Sequence, residues 1–154
     1  MTHQLPVVRS MNYISLALQL LFLLVLYWVF IKSGSDEAAL WAGMVYLVLA
    51  YGLRYFVTID HRKGMRELKL DEYDNALLSF QKSFYFFTKY PWIDRFRVFT
   101  TFSASKFCYR ETAMVNQAFA LVYLNRKEEA KALYEVCLKE YPENSIAFYA
   151  LKTL

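Results

Sequence analysis

Apolar positions along this chain follow two regimes. From Met11 to Ile31 run 21 residues without a charge, and from Ala38 to Ile59 run 22 in which Arg54 is the single charge. At a rise of ~1.5 Å per residue each run measures about 31–33 Å as a helix, enough for a hydrocarbon core of ~30 Å. The polar stretch Lys32-Ser33-Gly34-Ser35-Asp36-Glu37 separates them, with Ser or Asp side chains that can cap a second helix. The pattern predicts a transmembrane hairpin over 11–59, with spans about 11–31 and 38–59. A cleaved leader would carry a shorter apolar stretch and a small residue where Lys32 stands. The remaining residues are too few to wrap two such cylinders in a soluble core. Past residue 60 the regime changes. Ala130, Leu133, Tyr134, Cys137 and Leu138 recur at steps of three and four, with Glu128, Glu129, Lys131, Glu135 and Lys139 between them. That is the pattern of a half-buried helix, which Pro142 brings to an end.

Charge orients the hairpin. Arg9 precedes the first span and Arg62, Lys63, Arg66 and Lys69 follow the second, whereas the connecting loop holds only Lys32. This predicts an integral membrane protein with two spans, both termini and the remainder of the chain being cytoplasmic. Residues 1–10 form a short cytoplasmic segment. Arg54 lies about one and a half turns inside the second span, as a snorkelling anchor or as a buried partner for an acid on another membrane protein. Tyr27, Trp28, Trp41 and Tyr46 suit an aromatic belt, and Ala39 with Gly43 make a small-xxx-small step for helix packing. With 57% hydrophobic residues and 13 Phe, 13 Tyr and 3 Trp, disorder is excluded. Two cysteines 29 positions apart exclude a disulfide scaffold.

The region after the hairpin is built twice. Gly64, Tyr73, Ala76 and Phe80 stand at offsets 0, 9, 12 and 16. Ala118, Leu121, Ala130, Tyr134, Cys137 and Pro142 repeat the scheme around the turn Asn125-Arg126-Lys127-Glu128-Glu129-Ala130. This resembles the tetratricopeptide repeat, a 34-residue helix–turn–helix unit. The better copy spans about 111–144, with Met114, Gln117 and Ala118 where the family has Trp, Leu and Gly. The other spans about 57–90, with Glu67 at a common aromatic position and Pro91 three residues late. Phe148 and Leu151 begin a third unit, so 144–154 reads as a closing helix. The fold class expected is therefore all-α: a two-helix hairpin, then a short tetratricopeptide-like α-solenoid over 57–154. No Gly-Pro pair interrupts Val57 to Leu68, so the second membrane helix is expected to run straight into the first repeat. Two units and a fraction are few for a continuous core, and lipid, another subunit or the intervening insert is expected to complete it.

That insert, about 84–110, separates the repeats. It holds Phe84, Tyr85, Phe86, Phe87, Tyr90, Trp92, Phe96, Phe99, Phe102, Phe107 and Tyr109. Its five cations, Lys89, Arg95, Arg97, Lys106 and Arg110, face Asp94 alone, an excess equal to the protein's net charge of +4. Three readings stay open: core for an undersized domain, a docking surface for a protein, or contact with a membrane interface. In the last, Trp92, Arg95, Arg97, Lys106 and Arg110 meet anionic lipid. Nucleic acid is not an expected partner, since no nucleic-acid-binding motif is present.

Motifs of catalysis do not occur: no phosphate-binding glycine loop, no GxSxG elbow, no HExxH helix. His3 and His61 are far apart, and His61 within Asp60-His61-Arg62-Lys63 reads as part of an interfacial charge cluster, not as a ligand. Cys137 reads as a small packing residue. Cys108, between Lys106 and Arg110, has the neighbours of an activated thiolate but no histidine. Asp71, Glu72 and Asp74 suit a solvated helix start. The expectation is no enzyme, no cofactor and no metal. The resemblance implies an adaptor whose first helices line a concave face, here His61, Arg62, Met65 and Leu68, then Val115, Asn116, Phe119 and Tyr123. Of the carboxylate clamp found in some members, only Arg62 and Asn116 have an echo. The function expected is a membrane-anchored adaptor or accessory subunit that binds another membrane protein through hairpin and repeats. The alternative is a membrane-surface module whose insert engages anionic headgroups.

Overall fold

The computed structural model describes residues 11–154; the segment 1–10, with His3 and Arg9, lies outside the described residues. Among the described residues all regular structure is helical, in nine helices. They are α1 (Tyr13–Lys32), α2 (Ala38–Val57), α3 (Ile59–Lys69), α4 (Tyr73–Lys89), α5 (Pro91–Arg95), α6 (Arg97–Thr100), α7 (Tyr109–Tyr123), α8 (Lys127–Glu140) and α9 (Ser145–Thr153).

α1 and α2 are each 20 residues and apolar enough to cross a membrane. Asn12 starts α1, its Oδ1 accepting from Ile14 N at 3.0 Å and Ser15 N at 3.4 Å. α2 starts without such help: Glu37 is its N-cap and makes no side-chain bond, so the Ser or Asp cap expected in the loop is not formed. The two helices pack through Ala38 and Ala42, and Ser15 and Gln19 are also buried. The close step is thus one residue earlier than Ala39 and Gly43; Ala39 is exposed, and a Cβ on Gly43 would meet nothing within 4 Å. Leu20, Leu24, Trp28, Val48, Tyr51 and Phe56 remain exposed on the outside of the pair.

α2 does not run straight into α3. Thr58, with φ −106° and ψ 24°, interrupts the helix for one residue. Its hydroxyl donates to Arg54 O at 2.7 Å and its amide to the same carbonyl at 3.2 Å, while Arg62 N donates to Thr58 O at 2.9 Å. A threonine bonding back to the i−4 carbonyl bends a helix, and here it marks the joint.

Beyond the joint, α3 packs against α4, α4 against α7, α7 against α8, and α8 against α9. The pairs α3–α4 and α7–α8 coincide at an offset of 54 residues. A Cβ on Gly64 would stand 2.9 Å from the ring of buried Phe80. At the equivalent places Ala118 meets buried Tyr134 in one cluster, and Ala76 and Ala130 are both fully buried. The turns share their closing bonds. Asp71 (φ 58°) and Asn125 (φ 61°) take the left-handed conformation. Glu72 N donates to Glu67 O at 3.0 Å and Arg126 N to Leu121 O at 2.9 Å; Asp71 N reaches Leu68 O and Asn125 N reaches Val122 O. These are two Schellman closures with Asp and Asn where glycine is usual.

Candidate functional site

Three surfaces carry the side chains singled out by the sequence. The first is an apolar groove of about 440 Å³ between α7 and α9, lined by Phe119, Val122, Tyr123, Tyr134, Ile146 and Tyr149 among others. Tyr123 stacks on Tyr73 with ring centroids 4.6 Å apart and leans on Phe119 at 4.7 Å, so two aromatics of the expected binding face have fixed positions. α9 forms the opposite wall. Asn144 caps it by accepting from Ala147 N at 2.8 Å and donates to buried Glu111 at 2.8 Å. Glu111 also accepts from Cys108 N at 3.2 Å, so one carboxylate ties the starts of α7 and α9 together. Burial raises the Glu111 pKa above the usual carboxylate range.

A second cleft, of about 650 Å³, opens at the α2–α3 joint. Tyr55, Ile59, Arg62, Lys63, Arg66 and Lys69 line it, together with Met65. The Arg62 guanidinium lies over the Tyr55 ring, 4.3 Å from its centroid. Asn116 reaches across from α7 and donates to Met65 Sδ at 3.4 Å.

The eight residues expected to form one partner face are therefore divided. Phe119 and Tyr123 line the groove, Arg62 and Met65 the cleft, and Asn116 lies half-buried between. His61, Leu68 and Val115 are buried at 8%, 3% and 2% exposure and are not surface residues. The correction has a simple geometric origin. Neighbours on a helix point ~100° apart, so charged Asp60, Arg62 and Lys63 surround His61 in sequence while it points inward. His61 meets Phe80 and Tyr109 edge-on at centroid distances of 5.5 and 5.3 Å, with Ser83 Oγ 3.4 Å from its Nδ1. Burial lowers its pKa from 6.5 to about 4, so it is a neutral core residue and not part of a charge cluster.

The third surface is the insert, and the structure distributes it among several roles. Phe84 to Lys89 belong to α4, where Phe87 is buried and stacks on Tyr109 at 5.0 Å. Phe102 is buried too, 5.8 Å from Phe22 of α1 and 5.3 Å from Tyr46 of α2. Residues 97–105 thus lie along the apolar hairpin. Asn12 N donates to Ala104 O at 2.8 Å, and Met11 pairs with Ser105 as a single antiparallel bridge. Arg54 donates to Thr101 O at 3.4 Å and Phe102 O at 3.0 Å. Neither role weighed for Arg54 from sequence includes this one: it satisfies backbone carbonyls of its own chain. Nothing in the local sequence marks the pairing, because the partners are 47 and 48 residues away.

Most of the insert's cations are engaged as well. Arg97 donates to the carbonyls of Asp94, Ser105 and Lys106. Arg110 holds Glu140, Tyr141 and Thr88, and Lys106 pairs with Glu143 at 3.3 Å. Asp94, the lone acid, is buried and accepts from Tyr109 N at 2.9 Å and Arg110 N at 2.8 Å, closing the start of α7. Of the five residues expected at a lipid interface, Arg97 and Arg110 are half-buried and bound to partners within the chain, and Lys106 is exposed but paired with Glu143. Trp92 and Arg95 are exposed, as are Phe96 and Phe99.

Cys108 differs from its sequence reading. Its Sγ accepts from Glu111 N at 3.4 Å as a helix cap, and burial pushes its pKa up to about 11, the reverse of thiolate activation. Cys137 is fully buried, with its pKa raised to about 12 by burial. No family model, no curated protein and no solved structure matches this chain.

Proposed function

We propose that this protein is a membrane-anchored adaptor or accessory subunit, with α1 and α2 as a transmembrane hairpin, both termini cytoplasmic, and α3–α9 as a short tetratricopeptide-like solenoid that receives a segment of another membrane protein. The single observation that carries the reading is the apolar groove between α7 and α9, where Phe119 and Tyr123 stand preorganised on a helix pair repeated at 54 residues. A groove of this size with apolar walls suits the apolar face of a partner helix. The 54-residue correspondence of turns, small residues and aromatics supports the repeat assignment, and the exposed apolar length of α1 and α2 supports the anchor. The test is purification of the C-terminally tagged full chain from native membranes in mild detergent. One membrane protein is expected at stoichiometric ratio, and Phe119→Ala with Tyr149→Ala is expected to remove it without loss of helix content. Recovery of the chain alone, or a partner that stays bound to the variant, sinks the reading.

A second reading, a membrane-surface module, is favoured by one specific observation. Residues 101–105 are bonded onto the hairpin region itself, Trp92 and Phe96 are 57% and 54% exposed, and Phe99, 44% exposed, also meets Phe22 of α1 edge-on at 6.4 Å. Non-helical backbone beside an apolar helix must be satisfied internally, and Arg54, Arg97 and Asn12 supply such bonds. Here the aromatic side of the insert, more than its cations, meets lipid.

A further inference from the structure

We propose that the cleft at the α2–α3 joint binds the phosphate of an anionic phospholipid headgroup. The proposal rests on the reading of α1 and α2 as membrane-spanning. α3 presents Arg62, Arg66 and Lys69 at i, i+4 and i+7, a single helical face, with Lys63 beside them. Among the described residues Arg62, Arg66 and Lys69 form no ion pair, and Lys63 alone reaches an acid, Glu67 at 3.7 Å. This distinguishes the cleft from the insert, whose Arg97, Lys106 and Arg110 already have partners.

The ligand class follows from the shape of the site. One side offers arginine, whose planar guanidinium donates two hydrogen bonds at once to a phosphate. Stacking over Tyr55 holds the Arg62 guanidinium in place before any ligand arrives. The other side is Tyr55 and Ile59, 50% and 52% exposed, which continue the apolar surface of α2. A ligand that fills the cleft is therefore anionic at one end and apolar at the other. The height agrees. Arg62 is five residues past Val57, ~7.5 Å along the chain at helical rise, at the outer part of an interfacial layer about 5–8 Å thick on each side of the hydrocarbon, with Arg66 and Lys69 ~13.5 and ~18 Å along, above that layer. Basic residues clustered at the exit of a membrane helix meet a negative surface potential there.

The experiment uses the full chain in phosphatidylcholine bilayers with a trace of spin-labelled phosphatidylglycerol or spin-labelled phosphatidylcholine. Electron paramagnetic resonance reads the fraction of each label immobilised by the protein. The expected result is an association constant for the phosphatidylglycerol label about threefold or more above that for phosphatidylcholine, falling as salt is raised. Substituting R62Q, R66Q and K69Q together is expected to abolish the preference and leave the immobilised phosphatidylcholine fraction unchanged; R95Q with K106Q is expected to leave the preference intact. Equal constants in the wild type overturn the proposal, as does a preference that persists in the triple variant or is independent of salt. Loss of the preference on adding inorganic phosphate at matched ionic strength overturns it in favour of a free-phosphate site. If neither label is immobilised, the membrane-spanning reading itself fails, an outcome separate from the others.

Discussion

The helix pairs α3–α4 and α7–α8 share a backbone plan and differ in what fills it. Where the first pair buries His61, Ser83, Glu67 and Ser79, the second has Val115, Cys137, Leu121 and Leu133 at the same offset of 54. In the first pair Ser79 donates to Glu67 Oε2 at 2.6 Å and Ser83 lies 3.4 Å from His61 Nδ1. Each buried polar group needs its partner, and a carboxylate or imidazole held out of water loses solvation that apolar residues never had. At these four offsets the second pair is apolar or nearly so, and its buried polar residues, Glu111 and Gln117, lie at other positions of α7. The first pair, which adjoins the hairpin, has a stability that depends on the protonation of His61 and on two buried side-chain contacts, the Ser79–Glu67 bond short and the Ser83–His61 one long. Identical turns and identical small–large spacing thus allow quite different interiors.

The largest expected effect comes from removing that difference. The His61 pKa falls from 6.5 to about 4 on folding, so between those values the unfolded chain binds more protons than the folded one. Stability from this group is complete above pH 6.5 and is lost as pH drops towards 4. At pH 4.5 the loss is on the order of 2–3 kcal/mol. Thermal unfolding of the detergent-solubilised chain at pH 7 and 4.5, beside His61→Val, measures it. The variant should lack this part of the acid sensitivity; an unchanged difference between the two pH values would show that His61 is not the group responsible.

Next in size is a substitution that tests how closely α3 approaches α4. Gly64→Ala puts a Cβ 2.9 Å from the enclosed Phe80 ring and should cost about 1–3 kcal/mol. Its counterpart Ala118 already carries a Cβ in the cluster that holds Tyr134, so the second pair accommodates the methyl that the first excludes. Combining Gly64→Ala with Phe80→Leu should cost less than the two single changes added together, a coupling read from a double-mutant cycle.

Smallest of all are the turns. Asp71→Gly and Asn125→Gly each relieve a left-handed residue of its Cβ and should change stability by less than about 1 kcal/mol. Asp71→Gly also deletes the acceptor of the Tyr73 hydroxyl, which lies 2.6 Å from Asp71 Oδ1, so it should be the less favourable of the two. Equal shifts in melting temperature would show that this exposed bond contributes nothing.

Helices and their limits were legible wherever the signal is local. The second apolar run begins at Ala38, as α2 does; Pro142 follows the end of α8; and Asn125 lies in the turn before it. The division of the expected partner face was not legible, because exposure changes with each ~100° of helical rotation while the charge around His61 is averaged over neighbours. The insert was hardest. Its aromatics and surplus cations left core, docking surface and membrane interface all open, because Arg97 and Arg110 are held by carbonyls, a carboxylate and hydroxyls that become neighbours only after folding.

Arg54 gives the folding of this protein an order in time. In a membrane-spanning α2 its guanidinium is a cation near the hydrocarbon, and the carbonyls that receive it belong to residues 101 and 102. Those residues are synthesised 47 or more positions later, roughly 2–10 s at 5–20 residues per second. During that interval the guanidinium lacks the two carbonyls that receive it in the folded chain. The bonds at Arg54 therefore close only after the insert has been made, and the seating of residues 101 and 102 against the hairpin is a late event in the life of the nascent chain.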